Sequence, residues 1–212
     1  MQQAFTLMLD VASVALLAVS PYRRIAASVG CRVVGVDLTP RFVEAARQLS
    51  DRVGLGALTD FRVADAAKLA MPADTFASAS LLHVGMNVAD KPALVAGVAR
   101  ALAPGGRFAI FDVMRVSDGV LSYPMHWATD PANSHVESPE NYQHHLTQGG
   151  FTVESVVDRT EMAMTAAAAE NPPPVHLGHL MGRDFGSMIA NLLPAVKAGT
   201  LAPIQIVARR ND

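Results

Sequence analysis

Asp37 closes a short β-branched run, Arg32-Val33-Val34-Gly35-Val36, and Thr39-Pro40 opens a helix just after it. An acid at the C-terminal tip of the second strand of a parallel α/β sheet is placed to accept hydrogen bonds from a ribose diol. A carboxylate suits that task because it accepts from both hydroxyls at once. The pattern therefore points to a nucleoside-containing cofactor. The structural alternative for Asp37 is an acid that stabilises a helix N-terminus through the macrodipole. His83 follows an apolar strand pattern and precedes Gly85-Met86-Asn87. It is expected to face the crevice at the C-terminal ends of the strands, where ligands of open α/β folds bind. An imidazole there can take a proton from a nucleophile, or it can be a hydrogen-bonded core histidine.

Those residues need a sheet to hold them. The pattern predicts strands over 5–14, 32–36, 58–63, 75–84, 108–114, 151–157 and 201–208. Helices are predicted over 21–29, 40–53, 91–102, 139–148 and 184–197. In the second helix Phe42, Ala46, Leu49 and Val53 share one face. In the third, Leu94, Val95, Val98 and Leu102 point inward. Pro104-Gly105-Gly106 is a turn signal, 115–137 is a long irregular stretch rich in His, Pro and Asn, and 163–174 is a low-complexity segment expected to be mobile. Strands separated by helices predict an α/β domain, a doubly wound, mostly parallel sheet covered on both faces.

With 212 residues, half of them hydrophobic, the chain can bury a sizeable core as one domain over 1–212. A net charge of −2 with mixed signs and no basic stripe argues against nucleic acid as a partner. The single Cys31 fits a reducing, cytoplasmic setting. The apolar run 7–19 is interrupted by Asp10 and too short to span a bilayer, so it reads as a buried first strand rather than a membrane span or a signal. His176 and His179 are spaced to meet on a helix, but no third ligand accompanies them and no metal site is expected. No Tyr-x-x-x-Lys pair and no glycine fingerprint before Asp37 accompany a nicotinamide site.

From Gly30 to Arg210 the chain resembles the class I S-adenosylmethionine-dependent methyltransferases, in their small-molecule branch. The resemblance runs through VVGVDLTPRFVEAARQL, FRVADAAKL, LLHVGMNVADKPALVAGVARALAPGGRFAIFDVMR, YPMHWA, SPENYQHHLTQGGF and LAPIQIVARR. It implies a Rossmann-like seven-stranded sheet with an antiparallel last strand, and S-adenosylmethionine as cofactor for methyl transfer to a small molecule. It places Asp37 on the ribose hydroxyls, Leu38 against the adenine, and Asp65 with Ala66 at the adenine edge. His83 is placed beside the methyl donor, as lining or as base, followed by Met86 and Asn87 of the same loop. Tyr123, His126 and Trp127, with nearby His135, fall where the family shapes the acceptor pocket.

Two departures qualify the resemblance. The family's first strand runs into a D-x-G-x-G-x-G-G loop, where bare backbone lets the methionine part of the cofactor approach. Residues 11–20 here contain no glycine, and Leu16, Leu17 and Val19 are expected to crowd that site. The sequence also begins almost at the first strand, so the helices that cover the substrate in the family are expected to be missing and self-association to replace them. Both departures keep alternatives open: a binding or interaction module that has lost the cofactor, or a non-methylating cyclase or isomerase.

Overall fold

A computed structural model describes residues 6–10, 23, 26–28, 30–168, 178 and 182–212. The predicted first loop, 11–20, and His176 and His179 lie outside the described residues.

Seven strands form one sheet: β1 (Thr6–Asp10), β2 (Val33–Asp37), β3 (Thr59–Val63), β4 (Phe76–Leu82), β5 (Leu102–Arg115), β6 (Phe151–Asp158) and β7 (Leu201–Arg210). Their order is β3-β2-β1-β4-β5-β7-β6. The pairs from β3 to β5 are parallel, while β7 runs antiparallel to both β5 and β6. The order reverses between β1 and β4, so a crevice opens at the C-terminal ends of these strands. Asp37 pairs in register with Asp10 there, which puts both acids at the same rim.

The helices are α1 (Pro40–Arg52), α2 (Lys91–Ala101), α3 (Pro139–Gln148), α4 (Thr160–Ala167) and α5 (Phe185–Lys197). Local chemistry sets their starts. Pro40, Pro92 and Pro139 occupy first-turn positions, where a missing N–H costs nothing. The Asp90 carboxylate accepts from Ala93 N at 2.9 Å, and the Ser138 hydroxyl from Asn141 N at 3.2 Å. The main core joins Leu81, Leu94, Val98, Phe108, Ile110 and Ile206. A second cluster, with Cys31, Val33, Val43, Ala46 and Phe61, lies under α1.

Some boundaries and faces differ from the sequence reading. α1 buries Val43, Ala46 and Ser50, whereas Val53 is exposed at the helix end. Small side chains on that face let α1 approach the sheet closely, and the bulkier Phe42 and Leu49 sit at its margin. β4 stops at Leu82, because His83 adopts φ +54°. The Pro104-Gly105-Gly106 turn is absorbed as an irregularity within β5. Leu102 pairs with Phe76 and Arg107 with Ser78, and Gly105 takes φ +73° between them. The expected mobile segment begins as α4, which the Ala-rich composition favours. The last helix starts with a 3₁₀ turn, Gly182–Asp184, before α5 proper.

Candidate functional site

The C-terminal rim of β2, β3 and β4 carries a cleft of about 350 Å³. Leu38, Asp65, Ala67 and Lys68 line one side, and Asn87, Val88, Ala89 and Asp90 the other. Leu38 is 46 % exposed, an apolar surface kept open at the cleft rather than buried. Asp37 sits beneath it, only 6 % exposed. One Asp37 carboxylate oxygen accepts from Thr39 N at 2.6 Å, which fixes the turn into α1. The structural role expected as an alternative for Asp37 is thus present.

Asp65 folds its own turn in the same way. Its carboxylate accepts from Ala67 N at 2.9 Å, starting a 3₁₀ turn over Ala66–Lys68, and lies 3.7 Å from Lys68 Nζ. Ala66 is buried in the main core, so only its backbone can serve the cleft.

His83 stands just past β4 with backbone in the left-handed region, a conformation that a non-glycine residue adopts at a cost. Its amide donates to Phe111 O at 2.8 Å, and its ring lies 4.8 Å from the Phe111 ring. Its Nδ1 is shut off from solvent and has no hydrogen-bond partner. Burial pushes the imidazole down to about 4, so it is neutral at ordinary pH. His126 lies close enough to couple to it: burial first, and the His83 charge second, push His126 to about 4 as well.

Met86 and Asn87 belong to a 3₁₀ turn, Gly85–Asn87, whose two sides differ. Asn87 lines the cleft, while Met86 is fully buried against Met125, Trp127 and Val113. Tyr123 packs at the edge of that cluster, and Trp127 donates from Nε1 to Ser134 Oγ at 3.0 Å. The residues expected for the cofactor and those expected for the acceptor therefore meet across a single turn.

Behind the turn lies a polar network that the sequence reading did not single out. Asp112, on β5, is fully buried and accepts from the Tyr142 hydroxyl at 2.7 Å. Burial raises its carboxyl to about 7 against the opposing pull of Tyr142 and Lys91. Lys91, 1 % exposed, donates to Val88 O at 3.0 Å and His135 O at 2.6 Å, and lies 3.3 Å from Glu137. Burial lowers its pKa, and Glu137 opposes that. Glu137 also meets His145 Nε2 at 2.8 Å. The sequence signal was an acid inside an apolar strand, Ile110-Phe111-Asp112-Val113-Met114. Lys91 gave no signal, because a lysine beside a helix start is ordinarily solvated.

Among the described residues no group of three or more His, Cys, Asp or Glu can hold a metal, and no helix is long and apolar enough to cross a membrane.

A family model described as a methyltransferase domain matches residues 15–110. The methyltransferase phqN of Penicillium fellutanum is 26 % identical over 107 residues, a match spanning half of this chain and about a third of that protein. Among solved structures, a geranyl diphosphate methyltransferase in complex with S-adenosylmethionine superposes with a TM-score of 0.75 at 17 % identity, over 99 % of this chain and 79 % of its own. The cyclase SpnF superposes at 0.71 with 20 % identity, over 100 % and 77 %. At these identities the two structures speak for the fold alone.

Proposed function

We propose that the chain is a class I S-adenosylmethionine-dependent methyltransferase, a reading supported by its similarity over residues 15–110 to a methyltransferase domain, and that it transfers a methyl group from S-adenosylmethionine to a small molecule. The observation that carries the proposal is the cleft at the β2–β4 rim, lined by the open apolar surface of Leu38 and by Asp65, with the buried Asp37 next to Leu38 in the chain. An exposed leucine flanked by carboxylates fits a flat base with a polar edge and a neighbouring diol. Asp37 would hold the ribose hydroxyls, Leu38 the adenine face, and Asp65 with the Ala66 backbone the adenine edge. When bound, S-adenosylmethionine supplies a methyl group made electrophilic by the sulfonium.

The chain's own residues do the rest. Met86 and Asn87 shape the turn between donor and acceptor sides, and Tyr123 and Trp127 wall the acceptor side. This alignment would supply the proximity contribution to catalysis. His83 is neutral with its Nδ1 shut off from solvent, so it would serve this turn as a positioning group rather than as an open base.

A second reading, a binding module or a non-methylating cyclase or isomerase, keeps the cleft and drops methyl transfer. Equilibrium dialysis with S-adenosylmethionine tests the first reading. Saturable uptake that weakens in Asp65→Ala supports it. Absence of uptake at millimolar cofactor would overturn it.

A further inference from the structure

We infer that Lys91 is a positioning residue: its buried ammonium docks the acceptor-side connection, 115–137, onto the cleft-lining turn Gly85–Asn87. The label "acceptor-side" rests on the proposed function; the docking itself rests on geometry alone.

Lys91 is out of place by ordinary rules. It occupies the first turn of α2, where the helix macrodipole disfavours a cation. It is also removed from water, which is strongly unfavourable for an ion before any partner is counted. What offsets that cost is a full set of partners on two segments, the end of the turn and the connection. One is Val88 O, at the end of the turn. The second is His135 O, forty-four residues away on the connection. The third is the Glu137 carboxylate, just before α3. An ammonium has three donors, and here each has an acceptor.

The surrounding contacts all tighten the same joint. His135 N donates to Met86 O at 2.8 Å, so His135 is bound through both its amide and its carbonyl. The Tyr142 ring lies 5.4 Å from Lys91 Nζ, and its hydroxyl reaches Asp112. Gly85 touches both: a Cβ at this position would run into the Tyr142 hydroxyl and the Asp112 carboxylate. The turn is thus held from the Gly85 side by Asp112 and Tyr142, from the Val88 side by Lys91, and in the middle by His135. Trp127 rests on Met86 and bonds Ser134, the neighbour of His135. Its shielding therefore reports whether the joint is closed.

Trp127 is the only tryptophan in the chain, so its fluorescence is unambiguous. The test measures acrylamide quenching of the unliganded protein. The double variant Lys91→Met/Glu137→Gln removes the clamp without leaving an unpaired buried charge, which limits the stability loss. Its quenching constant is expected to rise at least about twofold, the scale of a buried indole becoming half-exposed, with far-ultraviolet dichroism unchanged. Glu137→Gln alone leaves Lys91 both carbonyls and is expected to keep Trp127 shielded. Unchanged quenching in a folded double variant would overturn the inference, as would an equal rise in Glu137→Gln. If the double variant does not fold, hydrogen exchange of the parent decides. Protection of the His135 amide together with the α2 amides supports the joint, and exchange of His135 at the rate of the exposed connection overturns it. Failure of S-adenosylmethionine to bind would remove the proposed function and leave this result standing.

Discussion

Asp37 shows how one carboxylate can serve structure and ligand together. Its bond to Thr39 N fixes the strand-to-helix turn and so aims the same group at the rim. Asp37→Ala is expected to weaken S-adenosylhomocysteine binding by about 1.5–3 kcal/mol, the scale of a hydrogen bond to a charged group. The adjoining α1 should remain folded, because Pro40 and the apolar face still hold it. Circular dichroism beside a binding titration separates the two effects. The type and tip position of Asp37 were legible in sequence because β-branched runs ending in acids are local patterns. The environment of His83 was not. An exposed imidazole titrates near 6.5, and sequence alone predicts a rate that rises through that range if His83 is the base. Burial pushes the ring to about 4, so the rate of any methyl transfer it assists should be flat from about pH 6 to 9 and fall only as pH approaches 4. A pH–rate profile with a rise centred at 6.5 would contradict this.

The turn Gly85–Asn87 is the element on which the site depends. Its glycine is demanded by close approach rather than by backbone angle, since side-chain oxygens of Tyr142 and Asp112 occupy the space of a Cβ. Gly85→Ala is expected to cost about 1–3 kcal/mol, the range for overpacking a filled site. Urea unfolding would measure it, and a neutral outcome would show that the network yields easily. Period and capping made most elements readable from sequence: α2 and α3 begin at Lys91 and Pro139 as predicted, and Leu94, Val95 and Val98 are inward as expected. The face of α1 was legible in part: Ala46 is buried and Phe42 and Leu49 are half-buried, whereas Val53 is exposed. Val43, Ala46 and Ser50 suit a helix lying close on strands, which only the tertiary structure reveals. The Asp112–Tyr142 and Lys91–Glu137 contacts join residues 30 and 46 positions apart, beyond any local pattern.

At the scale of the molecule, the buried titratable groups set the acid–base limits of stability. His83 and His126 have depressed pKa values, so their contribution is complete above the unfolded value of about 6.5 and is lost as pH falls toward 4. Asp112 behaves oppositely. Its carboxyl is raised to about 7, so its contribution is complete below the unfolded value and is lost as pH rises through 7. Between about pH 4 and 6.5 the two imidazoles and the carboxyl therefore pull in opposite directions, and two imidazoles against one carboxyl make stability fall with acid. Thermal melts across pH would show this, and Asp112→Asn, which removes the opposing carboxyl, should steepen the fall in acid. The doubly wound architecture was legible from the alternation of strands and helices, and the antiparallel β7 followed from the family resemblance.

The central claim is that the β2–β4 rim is a site for S-adenosylmethionine, held by Asp37, Leu38 and Asp65. Isothermal titration with S-adenosylhomocysteine, run on the parent and on Asp37→Ala, tests it most directly. The account predicts one saturable site in the parent and roughly 10- to 150-fold weaker binding in the variant, the same free energy expressed as affinity. Equal affinity in both proteins, or no heat in the parent at millimolar ligand, would contradict it.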